Sequence, residues 1–341
     1  MVSNKILMIY TGGTIGMRKD SQTGVLVPFD FSRLMEQIPE LRLIDKQIDT
    51  ISFDQPIDSS NLRPAHWIKL SQMVYDNYDC YDGFVILHGS DTMAYTASAL
   101  SFMLENLSKP VILTGSQLPI GDLRTDAKEN IITSIQIAGS YEGDQPMVPE
   151  VGIYFEFKLL RGNRTIKASA EHFNAFHSPN YLPLAQSGVE LNFFKERILP
   201  VPDGIFHIHD KLVSDVMVLR LHPALTETEL LHIINIPGLK ALILETYGSG
   251  NAFTEDWFLS ALQSAIDKGI YLINITQCQY GRIAPYKYET GRRLMDLGVF
   301  NGKDLTTEAA LTKMMYLLGK KLTHKALKNA FERPLRGEMS L

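Results

Sequence analysis

Short apolar runs alternate with amphipathic stretches along this chain, and the alternation predicts its elements. Residues 6–9 and 83–87 are uninterrupted apolar runs leading into glycine-containing turns. Runs this short, bounded by turns, suit strands buried on both faces. Residues 92–107 instead carry Met93, Ala97, Leu100, Met103, Leu104 and Leu107 at helical spacing, which predicts a helix. A strand at 110–113 follows, then a helix at 126–138 with Ile131, Ile132, Ile135 and Ala138 along one face, then a strand at 151–157. Strands alternating with helices of this length predict a parallel sheet with right-handed crossovers. The stretch 178–209 breaks the rhythm: it holds Pro179, Pro183, Pro200 and Pro202 and reads as a connection between domains. Alternation then resumes, with strands expected at 216–219, 241–244 and 271–275. Helices are expected at 255–268, ended by Gly269, and at 307–318. The predicted fold is α/β. A large N-terminal domain (1–190) has a mainly parallel sheet flanked by helices. A linker (191–212) leads to a smaller C-terminal α/β domain (213–341).

Two turns at strand ends carry the candidate chemistry. Thr11-Gly12-Gly13-Thr14-Ile15-Gly16 follows the first apolar run, and His88-Gly89-Ser90-Asp91-Thr92-Met93 follows the second. Open α/β sheets hold their ligands at the carboxyl ends of strands. A hydroxyl there becomes a nucleophile once a neighbouring group takes its proton. One such turn alone more often serves only as a tight turn or a helix cap. Two of them, with Asp91 directly beside Ser90, point to a site. A dinucleotide site is the rival for the first turn. Its G-x-G-x-x-G spacing fails here, because Gly12 and Gly13 are adjacent. The following residues 18–24 are also polar and loop-like, not a second strand ending in an acid.

Composition narrows the function classes. The 341 residues are 45% hydrophobic and 21% charged, ordinary for a globular protein with a core, and the length predicts two domains. A net charge of −5 argues against nucleic-acid or anionic-membrane partners. Two cysteines, Cys80 and Cys278, make no disulfide framework and fit a reducing compartment. The first apolar run is far shorter than a signal-peptide core, and no stretch approaches the roughly 20 apolar residues of a membrane span. A cytoplasmic protein is expected. His88 is expected to be a hydrogen-bonded scaffold residue. Cys278, whose neighbours Thr276, Gln277 and Gln279 offer no cation, is expected to be a buried thiol.

Thr11-Gly12-Gly13-Thr14-Ile15, His88-Gly89-Ser90-Asp91-Thr92-Met93 and Gly162-Asn163-Arg164-Thr165-Ile166-Lys167 occur in this order. Together they resemble the signatures of the L-asparaginase family, in its cytoplasmic type I branch. Asp58-Ser59-Ser60, Thr114-Gly115-Ser116-Gln117 and Thr276-Gln277-Cys278 extend the resemblance over essentially the whole chain. It implies hydrolysis of L-asparagine to L-aspartate and ammonia through a threonine nucleophile and an acyl-enzyme, with neither metal nor organic cofactor. Thr14 matches the nucleophile, and Ser90, Asp91 and Lys167 match a second catalytic group. Asp58, Ser59 and Ser60, with Ser90 and Asp91, match the positions that hold the amino acid's ammonium and carboxylate. Backbone N–H groups around Thr14 and Ser90 would form the oxyanion site, and Ser116 would line the pocket. The resemblance also implies a flap at 18–28 and a homodimer or homotetramer with residues 247–251 near a neighbouring subunit's site.

Three positions depart from the family pattern. Ser90 stands where threonine is usual, so the hydroxyl survives but the methyl that restricts its rotamer does not. Val25 stands about where several relatives place a flap tyrosine, and no tyrosine occurs between Thr11 and Asp58. Glu245 stands where some relatives use an arginine in a second, regulatory asparagine site. A carboxylate there would repel the effector's own, so little homotropic activation is expected. Two other readings share these motifs. One is an ammonia-supplying amidotransferase subunit, which carries an extra N-terminal domain, whereas the first motif here starts at residue 10. The other is a non-catalytic asparagine-binding protein. A nicotinamide oxidoreductase ranks last.

Overall fold

The structure is a computed structural model, and it describes residues 4–19, 26–28, 38–287 and 289–341. The chain divides into two compact units, Met1–Asp210 and Lys211–Leu341.

In the first unit the strands of the main sheet are β1 (Lys5–Tyr10), β2 (Gln47–Ser52), β3 (Gly83–Leu87), β4 (Val111–Thr114), β5 (Val151–Phe155), β6 (Lys158–Arg161), β7 (Ala185–Ser187) and β8 (Leu191–Phe193). Among the described residues they form one eight-stranded sheet in the order β8-β7-β6-β5-β4-β3-β1-β2. Strands β1 to β5 are mutually parallel, as expected. Strands β6, β7 and β8 extend that sheet with antiparallel pairing. Helices α1 (Pro64–Asp76), α2 (Met93–Met103) and α3 (Ala127–Ala138) cover it.

Strand β1 shows why the parallel strands read as solid apolar runs. Its Ile6, Met8 and Tyr10 pack with Ile131, Ile135 and Ala138 of α3. Its Leu7 and Ile9 pack on the opposite face with Leu70 and Val74 of α1 and Met93, Ala97 and Leu100 of α2. Successive side chains point to opposite faces, and both faces are covered, so positions 6–10 are all apolar and buried. Each fully buried aliphatic side chain here contributes roughly 1.5–3 kcal/mol.

Helix α2 stops at Met103, short of the expected 107. Leu104–Glu105 instead pairs antiparallel with His207–Ile208, and Asn106 takes a left-handed φ of 56°. Asparagine tolerates that conformation better than most residues. Leu104 and Leu107 stay buried outside the helix, which is why the helical spacing ran on past its end.

The linker expected at 191–212 is corrected by the same region. Leu191–Phe193 is the outermost strand of the large sheet, paired with Ala185–Ser187. Further on, Arg161 Nη2 donates to the Arg197 carbonyl at 2.7 Å and the Leu199 N–H donates to Glu150 Oε1 at 2.8 Å. The first unit therefore runs to Asp210. Prolines keep this stretch from forming long strands, but its remaining backbone groups still find partners.

The second unit holds β9 (Val216–Arg220), β10 (Ala241–Thr246), β11 (Tyr271–Thr276) and β12 (Phe300–Asn301), parallel and in that order. Its helices are α4 (Glu227–Ile234), α5 (Asp256–Asp267), α6 (Glu289–Asp296), α7 (Thr307–Gly319) and α8 (His324–Phe331). Leu242, Leu244 and Leu272 of its sheet pack with Leu230, Phe258 and Leu262 of α4 and α5. Thr226, Thr306 and Thr323 each cap a helix by accepting a backbone N–H. No described helix is long and apolar enough to cross a membrane.

Candidate active site

Three segments converge at the carboxyl ends of β1 and β3. Past β1, the Thr11 N–H and its Oγ1 both donate to the Leu87 carbonyl at 3.0 Å, tying the first turn to the end of β3. Ile57 N–H donates to the Thr11 carbonyl at 2.8 Å, which draws in the segment carrying Asp58, Ser59 and Ser60.

Glycine allows these segments to touch. A Cβ on Gly13, whose φ is 88°, would lie 2.4 Å from Gly89 Cα, and one on Gly12 would lie 2.2 Å from the Ile57 carbonyl oxygen. A Cβ on Gly89 would lie 2.6 Å from Ser59 Oγ. No side chain survives the first two distances, which are against backbone, and the positive φ of Gly12 and Gly13 adds strain for any other residue. Thr14 directly follows Gly13, and Ser90 directly follows Gly89. The two hydroxyl residues are thus presented from abutting backbones.

Lys167 arrives on the short strand Ile166–Lys167, paired with Phe176–His177. Its Nζ donates to Ser90 Oγ at 2.9 Å and to Asp91 Oδ1 at 2.5 Å. The Lys167 side chain is 19% exposed and that of Asp91 63% exposed, so the carboxylate stays open to a ligand. A pair this open to water is worth at most about 1 kcal/mol of stability.

The structure brings Ser90, Asp91 and Lys167 into direct contact and sets Thr14 and Ser59 on the neighbouring turns. Asp58 caps the 3-10 turn Ser59–Asn61, accepting the Ser60 N–H at 3.0 Å. Ser59 is buried and Ser60 exposed. Thr92 Oγ1 donates to the Ser59 carbonyl at 2.7 Å, which holds this turn to the start of α2. Ser116 is buried and donates to the Leu118 carbonyl at 2.6 Å, so its hydroxyl is committed to its own loop.

One contact was missed from sequence. Ser90 Oγ donates to Gln117 Oε1 at 3.2 Å. The stretch Thr114-Gly115-Ser116-Gln117 at the end of β4 was the available signal, but it assigned Gln117 no partner.

His88 is buried and behaves as scaffold. Its ring Nδ1 meets the Gly89 carbonyl at 2.7 Å and its Nε2 meets Thr96 Oγ1 at 2.9 Å. A carbonyl only accepts, so Nδ1 carries the proton and Nε2 accepts from Thr96. Thr96 Oγ1 accepts in turn from Trp67 Nε1 at 3.0 Å. Burial pushes the imidazole pKa down to about 4, leaving it neutral near pH 7.

Met17–Lys19 and Leu26–Pro28 pair antiparallel beyond the first turn. The rest of the expected flap, including Val25, lies outside the described residues. Cys278 is exposed, which corrects the expectation of a buried thiol. It sits just past the end of β11, in a turn where its N–H donates to Thr276 Oγ1 at 3.0 Å. In the second unit Glu245 accepts from Thr307 Oγ1 at 2.5 Å and lies 3.8 Å from Arg220 Nη1.

Family models match both units. The asparaginase N-terminal model covers residues 5–199, and the glutaminase/asparaginase C-terminal domain model covers residues 215–331. The chain is 41% identical to L-asparaginase 1 of Escherichia coli K12, covering 100% of this chain and 99% of that protein. It is 39% identical to the 60 kDa lysophospholipase of Mus musculus, covering 99% of this chain and 63% of that longer protein. The crystal structure of L-asparaginase I from Vibrio cholerae superposes with a TM-score of 0.90 at 38% identity, over 99% of both chains. With both domain models matched in order and full-length relatives at this identity, the chain belongs to the asparaginase family.

Proposed function

We propose that the chain hydrolyses L-asparagine to L-aspartate and ammonia, with Thr14 as the nucleophile. The observation that carries this reading is the cluster of Lys167, Ser90 and Asp91, set on a backbone that abuts the Thr14 turn. The full-length likeness to L-asparaginase 1 supports the same substrate.

In this reading Thr14 Oγ1 attacks the side-chain amide carbon, and its proton passes by way of the Ser90 hydroxyl to the amide nitrogen, while the Lys167 ammonium donates to Ser90 Oγ. The developing oxyanion is held by backbone N–H groups of the two turns. Collapse breaks the C–N bond, and the protonated nitrogen departs as ammonia. The resulting acyl ester on Thr14 is attacked by water, which releases aspartate and returns the proton to Thr14. Ser90 links Lys167 to the reacting centre. Asp91, open to solvent, holds the substrate's α-ammonium with Asp58, while Ser59 and Ser60 hold its carboxylate.

The test is ammonia release from L-asparagine and L-glutamine by the purified chain and by Thr14→Ala. Turnover should fall by about 10³-fold or more in the variant, with folding intact. Full turnover by Thr14→Ala would refute the nucleophile. Bound asparagine with no ammonia released by the unmodified chain would favour the binding-protein reading instead.

A further inference from the structure

Serine carries no second Cβ substituent to restrict its rotamer, so a contact outside the residue must hold the Ser90 hydroxyl. We propose that Gln117 is a positioning residue that holds the Ser90 hydroxyl in place, standing in for the rotamer control that a threonine at 90 would supply. This rests on the reading of Ser90 as the link between Lys167 and the reacting centre.

An ammonium only donates, so the Lys167 contact at 2.9 Å occupies a lone pair on Ser90 Oγ. The Ser90 proton then points at Gln117 Oε1, 3.2 Å away. For Gln117 to present oxygen and not nitrogen, its amide must be fixed the right way round, and the structure fixes it. Gln117 Nε2 donates to the Ala170 carbonyl at 3.3 Å and to the His172 carbonyl at 3.1 Å. Both partners are acceptors only, so a flipped amide would set oxygen against oxygen twice. The Gln117 backbone N–H is anchored as well, donating to the Asp126 carboxylate at 3.1 and 3.0 Å.

The length of the Ser90–Gln117 bond fits a resting position. A usual O–H···O contact is about 2.7–2.8 Å, so this one is weak and yields readily when a better acceptor arrives. Gln117 holds the proton in one direction between turnovers without competing strongly for it. Serine lacks the second Cβ substituent that narrows χ1 in threonine, so without Gln117 its hydroxyl would sample other rotamers.

A double-mutant cycle tests this, using Gln117→Met (similar in length, without an acceptor), Ser90→Thr and the pair. With Ser90 in place, Gln117→Met should lower kcat for asparagine about tenfold with KM little changed, because fewer molecules start with the Ser90 hydroxyl in place. With threonine at 90, the same change should cost no more than about twofold, because the branched Cβ restricts χ1 and places the hydroxyl oxygen by itself. Thermal unfolding of each variant checks that all are folded. A merely structural Gln117 would cost the same in both backgrounds. Equal losses, or no loss with Ser90 in place, would overturn the proposal. Undiminished turnover by Lys167→Met would instead refute the site reading beneath it, a failure this cycle does not share.

Discussion

Two lysine–carboxylate pairs in this chain have the same chemistry and opposite surroundings. Lys167 and Asp91 meet at 2.5 Å with side chains 19% and 63% exposed. Lys313 and Glu338 also meet at 2.5 Å, with both side chains 0% exposed. The buried pair is fully supplied. Lys313 Nζ also donates to the Phe331 and Arg333 carbonyls at 2.7 and 2.6 Å, and Glu338 accepts the backbone N–H groups of Leu335 and Arg336. It ties the chain's last residues to α7. The pair at the candidate site spends one further donor on a hydroxyl and leaves its carboxylate open. Distance alone therefore does not separate a structural pair from a chemical one; what the leftover donors and acceptors do separates them.

The comparison breaks most sharply on substitution. Lys313→Met leaves a buried carboxylate without its cation and should cost about 3–5 kcal/mol of stability. Molecules that remain folded should keep their turnover. Lys167→Met should do the reverse, changing stability by at most about 1 kcal/mol while lowering turnover steeply. Urea unfolding together with ammonia release measures both. A Lys313→Met protein as stable as the parent, or a Lys167→Met protein that loses both properties together, would erase the distinction.

His88 sharpens the same contrast through pH, because it is a buried group beside the site that must stay neutral. Its folded pKa of about 4 lies below the ordinary 6.5. The unfolded chain therefore takes up a proton that the folded chain refuses. The stability owed to His88 is whole above about pH 6.5 and drains away as pH falls toward 4, by roughly 3 kcal/mol in all. The His88 ring signal in a proton NMR titration should stay that of the neutral form down to about pH 5. A midpoint above 6 would remove the scaffold reading and restore His88 as a candidate base.

The sequence told these regions apart unevenly, for physical reasons. Strands such as β1 and β3 were legible because two covered faces demand an unbroken apolar run. Strands β2 (QIDTIS) and β7 (AQS) were not, because exposed positions at or near the sheet edge admit polar residues. Thr14, Ser90 and Asp91 stood out because glycines and hydroxyls crowd two strand ends. Lys167 was legible only through its motif, since an isolated lysine is ordinarily surface charge. Gln117 was legible only as part of a motif, without a partner. Its contact with Ser90 depends on which way its amide faces, and that is set by carbonyls 53 and 55 residues away.

Glu245 supplies the mildest case, a pair intermediate between the two. Its side chain is 12% exposed, Arg220 is 67% exposed, and the two stand 3.8 Å apart. The carboxylate is already engaged by Thr307 Oγ1, so it is neither an open ligand group nor a sealed structural pair. An amino-acid effector arriving carboxylate-first would meet the negative charge of Glu245, and like charges brought together cost affinity. The rate of ammonia release should therefore follow asparagine concentration hyperbolically, and Glu245→Ala should leave that shape unchanged. A sigmoidal curve that turns hyperbolic on substitution at Glu245 would show an effector site there, and the carboxylate would then have to be read as part of its recognition.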